Sequence, residues 1–201
     1  MRRPLSRAFY AGEDPVPIAK RLLGKVVRVQ SKGEVCLARI VETEAYGGKL
    51  DRASHAWKGR SPRNASMFGP PGTAYVYLCY GIHRMLNVVT APQGVAAAVL
   101  IRGVEPLRGA EQMARRRKVS SQEFRLTAGP GALTQALGVR LQWDGSDLVT
   151  GPIRIEDDGV SFTKVEVGVG RRIGIHYAGG AARFPWRFWI KGNPWVSRAK
   201  S

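Results

Sequence analysis

Apolar and polar residues alternate with a period of two in several short segments, which is the pattern of half-buried β-strands. Helical signals are fewer. The clearest is Asp14-Pro15, because an Asp side chain can cap the start of a helix and Pro, which has no N–H group, is favoured at the first helical position. The predicted strands are 25–30, 36–45, 73–79, 82–89 and 95–102, the predicted helices are 15–23, 106–117 and 130–137, and extended segments are expected at 143–151, 153–156, 161–167, 173–176 and 188–191. Antiparallel strands without a strand–helix–strand rhythm indicate a single α+β domain.

Two connections stand out in this pattern. Tyr80-Gly81 joins two predicted strands tightly, which indicates a β-hairpin. Residues 50–72 form a long stretch rich in Gly, Pro, Ser and Arg with room for one short helix. Loops of this length inside a compact domain are usually functional.

The composition narrows the class of protein. The 201 residues are 44% hydrophobic and include five Trp, so the chain can bury a sizeable core. Cys36 and Cys79 are too few for a disulfide framework or a Cys-rich metal site. No apolar run is long enough to span a bilayer, and the basic N-terminus lacks the apolar segment of a secretory signal. We therefore expect a soluble cytosolic protein.

The distribution of charge indicates what kind of partner the protein binds. The chain has 32 Lys and Arg against 15 Asp and Glu, a net charge of +17, and residues 52–104 and 167–201 contain no acid at all. Acid-free segments with interspersed Arg and aromatic residues suit contact with a nucleic-acid backbone and stacking on its bases. The alternative is a basic solvated surface over an ordinary aromatic core.

The segment 40–46 is the most informative for chemistry. If it is a strand, Ile40, Glu42, Glu44 and Tyr46 share one face, with Glu44 and Tyr46 roughly 7 Å apart. A carboxylate beside an aromatic ring in a basic protein is a candidate general base next to a stacking platform. An edge strand whose Glu residues pair with Arg explains the same spacing, and surface ion pairs are common.

Tyr80 lies at the predicted hairpin tip, where a large aromatic has little core to enter. It could insert between base pairs as a wedge, or it could fold back on its own hairpin. Of Tyr75 and Tyr77, which share a strand face, one is expected in the core and the other beside a pocket.

Familiar cofactor and nucleophile motifs are absent from the sequence. His55, His83 and His176 lack metal-ligand spacing, and Gly168-Val169-Gly170 lacks the third glycine of a dinucleotide fingerprint. There is no Gly-x-Ser-x-Gly nucleophile elbow. We expect neither a metal nor a cofactor.

Taken in order, these segments resemble the alkyladenine (3-methyladenine) DNA glycosylase family found in vertebrates and many bacteria. The similarity extends from about Leu5 to Ser197. Its pieces are Val41-Glu42-Thr43-Glu44-Ala45-Tyr46, His55, Pro62-Arg63-Asn64, Met67-Phe68, Pro71-Gly72-Thr73, Tyr75-Val76-Tyr77, Tyr80-Gly81, Asn87, Arg102, Glu105-Pro106-Leu107, Gly129-Pro130-Gly131, Val167-Gly168-Val169-Gly170 and Pro194-Trp195-Val196-Ser197.

The resemblance implies a monofunctional enzyme that flips a damaged purine out of duplex DNA and hydrolyses its N-glycosidic bond. Glu44 would be the general base that activates the attacking water. Arg102 and the backbone carbonyl of Val167 would be the other groups that hold this water. Tyr46, His55 and Tyr77 would form the base pocket. Asn87 would disfavour guanine, and Tyr80 would fill the gap left in the duplex.

We therefore expect residues 1–201 to form a single DNA glycosylase domain of the α+β class, with a curved antiparallel β-sheet, flanking helices and a protruding β-hairpin. Its partner would be double-stranded DNA that contains damaged purines, with no membrane association. Arg60, Arg63 and Arg84 are expected to contact the DNA backbone. A monomer in the bacterial cytosol, or in the nucleus of a eukaryote, is expected.

Two alternatives stay open at this point. Charge and aromatic content alone also fit a DNA- or RNA-binding module without catalysis, in which Glu44 would be dispensable. A bifunctional lyase would need an amine nucleophile, for which Lys49 and Lys58 are the nearest candidates.

Overall fold

The computed structural model describes residues 2–31 and 33–197. Its strands are β1 (Arg3–Pro4), β2 (Val26–Ser31), β3 (Glu34–Tyr46), β4 (Ala74–Cys79), β5 (His83–Val89), β6 (Ala98–Arg108), β7 (Ile153–Asp157), β8 (Val167–Gly170) and β9 (Arg187–Ile190). The α-helices are α1 (Arg7–Tyr10), α2 (Pro15–Leu22), α3 (Ala110–Arg117) and α4 (Pro130–Leu137). Short 3-10 helices cover Pro62–Phe68, Phe124–Leu126, Leu141–Trp143 and His176–Arg183.

All nine strands belong to one antiparallel sheet. Its main order is β1-β7-β2-β3-β6-β5-β4, and β9 joins β3 while β8 joins β9. The sheet curls into half a barrel, helices flank it, and the β4–β5 hairpin protrudes. The predicted α+β fold class is confirmed.

β3 is the strand that places the chemistry. Its first half pairs with β2, and from Glu42 to Glu44 the same edge pairs with β9. β6 pairs with the other edge from Leu37 to Tyr46. The register against β6 shifts on both sides of Glu42, as at a β-bulge, and bulges bend a strand and redirect its side chains. As a consequence Ile40 packs in the main apolar core rather than beside the carboxylates, contrary to the simple alternation.

Several local predictions are confirmed. α2 begins at Pro15, and the side chain of Asp14 accepts a 2.9 Å hydrogen bond from the N–H of Val16. α4 ends at Gly138, whose φ of 73° lies in the left-handed region that glycine favours. The loop 50–72 contains the one short helix expected, and Tyr80-Gly81 turns the β4–β5 hairpin.

Other local predictions are wrong. The helix predicted from residue 106 begins only at Ala110, because 106–108 continue β6 in register with β3. The segments 143–151, 161–167 and 173–176 do not form strands, apart from the bridge of Asp147 to Thr73 and the start of β8. Short apolar runs look the same in a strand and in a turn that packs on the core, so their pattern could not separate the two.

The core lies between the curved sheet and its helices. It contains residues from α2, α3 and α4 together with inward-facing residues of β2 to β7, all fully or nearly fully buried. Among the residues that the structure describes, no helix combines the length and apolar composition needed to cross a bilayer.

Candidate active site

Glu44 lies on β3 with its side chain completely buried. One carboxylate oxygen, Oε2, accepts hydrogen bonds from the Tyr46 hydroxyl at 2.8 Å and from Nη1 of Arg102 at 3.3 Å. The other, Oε1, accepts one from the peptide N–H of Ile173 at 2.7 Å. The cost of burying an ionised carboxylate is offset when it is hydrogen-bonded and paired with a cation, and Glu44 is both. The predicted alternative is wrong about an edge strand, since β6 and β9 cover both edges of β3 here, but the pairing of its Glu residues with Arg is observed.

A second buried carboxylate lies two residues earlier. Glu42 accepts hydrogen bonds from Nε of Arg102 at 3.1 Å and from Nε of Arg187 at 2.6 Å. It also accepts bonds from the N–H and hydroxyl of Ser197, at 2.7 and 2.8 Å. Arg102 therefore bridges the two carboxylates, which orients its guanidinium towards Glu44.

A cavity of about 230 Å³ opens beside Tyr46 and Arg102. An engineered cavity of about 150 Å³ holds a benzene ring, so the space is suited to a flat base of two fused rings. Its lining residues come from β3, the loop 50–72, the β4–β5 hairpin, β6, α4 and the segment after β8; they are Tyr46, Ala53, His55, Met67, Tyr75, Tyr77, Cys79, Tyr80, Met85, Asn87, Ala98, Leu100, Arg102, Pro130, Ile173, Gly174, Ile175 and Tyr177.

Aromatic rings form one side of this cavity. The His55 and Tyr77 rings meet edge to face with centroids 4.5 Å apart, and Nδ1 of His55 lies 2.8 Å from the hydroxyl of Tyr75. The loop holds His55 in place through Asn64, whose amide donates to the carbonyls of His55 and Gly59 at 2.9 Å each. The three predicted pocket aromatics, Tyr46, His55 and Tyr77, are thus brought to one space.

Asn87 lies on β5 at the inner end of the same cavity. Its side chain is nearly buried, and its amide nitrogen donates a 3.0 Å hydrogen bond to the carbonyl of Tyr75 across the hairpin. This bond fixes the amide of Asn87, so the group that faces the cavity is rigid.

The protonation states follow from burial and neighbouring charge. Burial and the adjacent Glu44 raise the pKa of Tyr46 well above its ordinary value, so its phenol remains a hydrogen-bond donor. Partial burial, helped by Arg63, lowers the pKa of His55, and the imidazole is neutral at pH 7. Burial opposes the charge of Arg102, but Glu44 and Glu42 outweigh it and raise the pKa of Arg102.

Tyr80 stands at the hairpin tip with 89% of its surface exposed and a φ of 50°, unusual for a residue other than glycine. It does not pack back on its hairpin, so that alternative is wrong. Tyr177 borders the same cavity and is 65% exposed.

Of the predicted catalytic residues, Arg102 borders the cavity, Glu44 lies behind its wall in contact with Tyr46, Arg102 and Ile173, and Val167 lies away from it. Val167 pairs with Ile190 on β9, whereas Arg187 is the β9 residue opposite Glu44, roughly 10 Å further along. Val167 instead lines a separate hollow with Lys25 and Phe162. The backbone that reaches Glu44 belongs to Ile173. Val-Gly-Val and Ile-Gly-Ile look alike in sequence, so only the fold distinguishes them.

The predicted phosphate-binding arginines lie on the protein surface, and Arg63 lies next to the cavity-lining Tyr77. Arg60, Arg63 and Arg84 are exposed, and none of the three forms an ion pair with the residues described. Nη2 of Arg63 donates a 3.2 Å hydrogen bond to the carbonyl of Leu78, which holds it against the hairpin.

The division predicted between Tyr75 and Tyr77 is wrong, because both border the cavity although Tyr75 is buried. Sequence reasoning missed Met67, Met85, Leu100 and Pro130 as part of the cavity wall, since their apolar character made them indistinguishable from core residues. Within residues 2–31 and 33–197, no three His, Cys, Asp or Glu side chains group as metal ligands.

Comparison of the amino-acid sequence with known proteins identifies the family of this chain. The model of the methylpurine-DNA glycosylase family matches residues 8–194. Proteins of Alkaliphilus oremlandii, Anaeromyxobacter dehalogenans and Chlorobaculum parvum are 45%, 46% and 44% identical to this chain. The alignments cover 96%, 96% and 98% of this chain and 98%, 85% and 91% of those proteins, each named "Putative 3-methyladenine DNA glycosylase". The resemblance drawn from the motifs is confirmed, and the chain belongs to the methylpurine-DNA glycosylase family, whose members are hydrolases of DNA repair.

Proposed function

We propose that this protein flips alkylated or deaminated purines out of duplex DNA and hydrolyses their N-glycosidic bond, leaving an abasic site for base excision repair. The observation that carries the proposal is the hydrogen-bonded carboxylate of Glu44 beside a base-sized aromatic cavity. Residues 1–201 would act as one monomeric domain, in the bacterial cytosol or in a eukaryotic nucleus.

Glu44 is the general base in this proposal. A carboxylate offers about four lone-pair sites, and three of them accept from Tyr46, Arg102 and Ile173. The fourth is available to a water molecule, which would lose its proton to Glu44 as it attacks the sugar carbon C1′. The peptide N–H of Ile173 holds the second carboxylate oxygen in place, whereas Val167 pairs with Ile190 at a distance from Glu44.

The same carboxylate stabilises the transition state. Cleavage at C1′ develops positive charge on the sugar, as in other glycoside hydrolyses. A negative group fixed close to that charge lowers the barrier without having to reorganise. Arg102 keeps the carboxylate in position through its second contact with Glu42.

The cavity recognises the flipped base by shape. Tyr46, His55 and Tyr77 supply flat faces for stacking, and the rigid amide of Asn87 would clash with the 2-amino group of guanine. Asn87→Ala is therefore expected to raise the excision of guanine lesions relative to hypoxanthine.

Tyr80 would fill the gap in the duplex. Its exposure at the hairpin tip suits insertion between base pairs, which costs a few kcal/mol of unstacking. Arg60, Arg63 and Arg84 would contribute phosphate contacts that offset this cost.

The direct experiment is an excision assay. A duplex with one hypoxanthine or one 3-methyladenine is incubated with the protein and then cleaved with alkali at abasic sites. Strand cleavage is expected with the wild type, and Glu44→Gln should lower turnover about 10²- to 10⁴-fold while DNA binding persists. Absence of abasic sites with the wild type would refute the function, and full activity of Glu44→Gln would refute the role of Glu44.

Monofunctional chemistry is tested separately. Within the described residues no lysine lines the cavity, so no amine is supplied there to form a Schiff base with the sugar. Borohydride should therefore trap no covalent adduct during excision, and a trapped adduct would identify a lyase.

A further inference from the structure

The cavity carries an unusual charge distribution for a pocket expected to hold methylated, positively charged purines. Among its lining side chains in the described chain, only Arg102 is charged at neutral pH, and that charge is positive. Glu44 lies behind the wall, fully occupied by the donors described above except for one site. Attraction of a cationic base would therefore depend mainly on the aromatic walls.

One of those walls already has a cation on it. The guanidinium carbon of the buried Arg172 lies 4.7 Å from the ring centroid of Tyr46, and Arg172 itself does not border the cavity. Asp51 holds Arg172 through two hydrogen bonds of 2.6 and 2.8 Å, and the carbonyl of Ala45 accepts another at 2.9 Å. The guanidinium thus lies over one face of the Tyr46 ring and also over the Trp186 ring, 5.1 Å from its centroid.

Tyr77, another ring of the cavity wall, also has an arginine over it, at a longer distance. The guanidinium carbon of Arg63 lies 6.0 Å from the centroid of Tyr77, and the hydrogen bond to Leu78 keeps it there. Unlike Arg172, Arg63 is exposed to solvent.

A cation over an aromatic ring is attracted by the negative ring face. It draws π-electron density towards itself, and the part of its charge that is not balanced by a counterion, such as Asp51 beside Arg172, repels a second cation across the ring. A ring engaged in this way stacks well on a neutral, electron-rich base and attracts a cationic base less. Tyr46 and Tyr77 each have an arginine over the ring, Arg172 and Arg63 respectively.

We propose that Arg172 and Arg63 are specificity-determining residues that reduce the preference of the cavity for cationic methylated purines relative to neutral damaged purines such as hypoxanthine. The inference rests on the proposed function, because it assumes that the damaged base enters this cavity. Neither arginine touches the reacting atoms in this scheme, and each acts through the ring that it covers.

The first experiment uses the exposed arginine. Single-turnover excision rates are measured on two duplexes that differ only in the lesion, cationic 7-methylguanine or neutral hypoxanthine. Arg63→Met is expected to raise the ratio of the two rates about two- to fivefold. Arg60→Met, which removes a nearby surface charge that covers no cavity ring, should weaken DNA binding for both lesions and leave the ratio unchanged. An unchanged ratio in Arg63→Met contradicts the role of Arg63.

The second experiment uses the buried pair and predicts changes of opposite sign. Asp51→Asn leaves Arg172 without its counterion, so the ratio of 7-methylguanine to hypoxanthine excision should fall. The double variant Asp51→Asn with Arg172→Met removes both charges, and the ratio should rise above that of the wild type. A purely structural disturbance would not produce opposite shifts, so shifts in one direction refute the role of Arg172.

If the buried variants do not fold, Tyr46→Leu tests the ring itself; it also removes the hydrogen bond from the Tyr46 hydroxyl to Glu44, a loss that affects the excision of both lesions alike. Because the Tyr46 ring attracts cations little, its loss should slow both lesions equally. A selective loss of 7-methylguanine excision would overturn the inference. If the wild type excises neither lesion, the proposed function itself fails; if it excises both and no variant moves the ratio, only this inference fails.

Discussion

The peptide N–H of Ile173 donates a 2.7 Å hydrogen bond to Oε1 of Glu44 and thereby joins the segment after β8 to β3. Tyr46 and Arg102 hold the other oxygen, so the carboxylate is fixed from two sides. A carboxylate fixed in this way can direct its remaining lone pair at one point in the cavity. The arrangement depends on the backbone next to Ile173.

Gly174 provides a test of that dependence. Its φ is 77°, and a methyl group added there would meet nothing within 4 Å, so Gly174→Ala strains the backbone without a clash. We expect a loss of about 1 kcal/mol in the free energy of unfolding by urea, because L-residues disfavour this conformation. The excision rate should also fall, since the strain displaces the Ile173 N–H.

Gly192 is the matched control for this variant. Its φ is 73°, it is equally uncrowded, and it lies outside the cavity lining. Gly192→Ala should lose similar stability and keep the wild-type excision rate. Equal rates in the two variants would show that the Ile173 contact is not needed for catalysis.

Glu42 is expected to support both stability and activity. Glu42→Gln leaves Arg102 and Arg187 buried with less negative charge, and breaking a buried ion pair typically costs about 3–5 kcal/mol. Urea unfolding should show a loss on the order of 3 kcal/mol, and excision should slow because Arg102 loses its second anchor.

Glu34 supplies the comparison for Glu42. It pairs with Arg116 at 2.7 Å, but 41% of its side chain is exposed. Glu34→Gln should therefore cost less than about 1 kcal/mol and leave excision unchanged. Similar losses for the two variants would contradict the importance assigned to the buried network.

Tyr80→Ala should weaken lesion-specific binding by a few kcal/mol at most, since it removes the group that fills the duplex gap. A 2-aminopurine beside the lesion reports flipping through its fluorescence, which should rise less with the variant. Ile82→Ala removes a neighbouring side chain that is 73% exposed and should behave as wild type. A wild-type signal from Tyr80→Ala would argue against insertion.

The lowered pKa of His55 predicts how the stability of the fold depends on pH. Its pKa is below the ordinary value of 6.5 in the folded protein, so the unfolded chain takes up the proton at a higher pH than the folded one does. Stability should therefore decline as pH falls through about 6.5 and level off below the folded pKa. His55→Gln should reduce this decline in urea titrations, and an identical slope would contradict the pKa shift.

Much of the secondary structure followed from local signals. Asp14-Pro15 marked the start of α2 and Tyr80-Gly81 marked a hairpin turn, because capping and tight turns depend on residues adjacent in sequence. The boundary between β6 and α3 did not follow, because pairing with β3 extends the strand past Pro106.

The amino-acid sequence was sufficient to predict the class of fold, the family and the basic acid-free segments, and it supplied most residues of the proposed site, because Glu44, Tyr46, His55, Tyr77, Asn87 and Arg102 all lie in recognisable motifs. Tertiary structure alone decided that Glu44 is buried between β6 and β9, that Ile173 and not Val167 approaches it, and that Arg172 lies over Tyr46. These contacts join residues far apart in the chain, so their geometry depends on strand register, bulges and packing that no local pattern encodes.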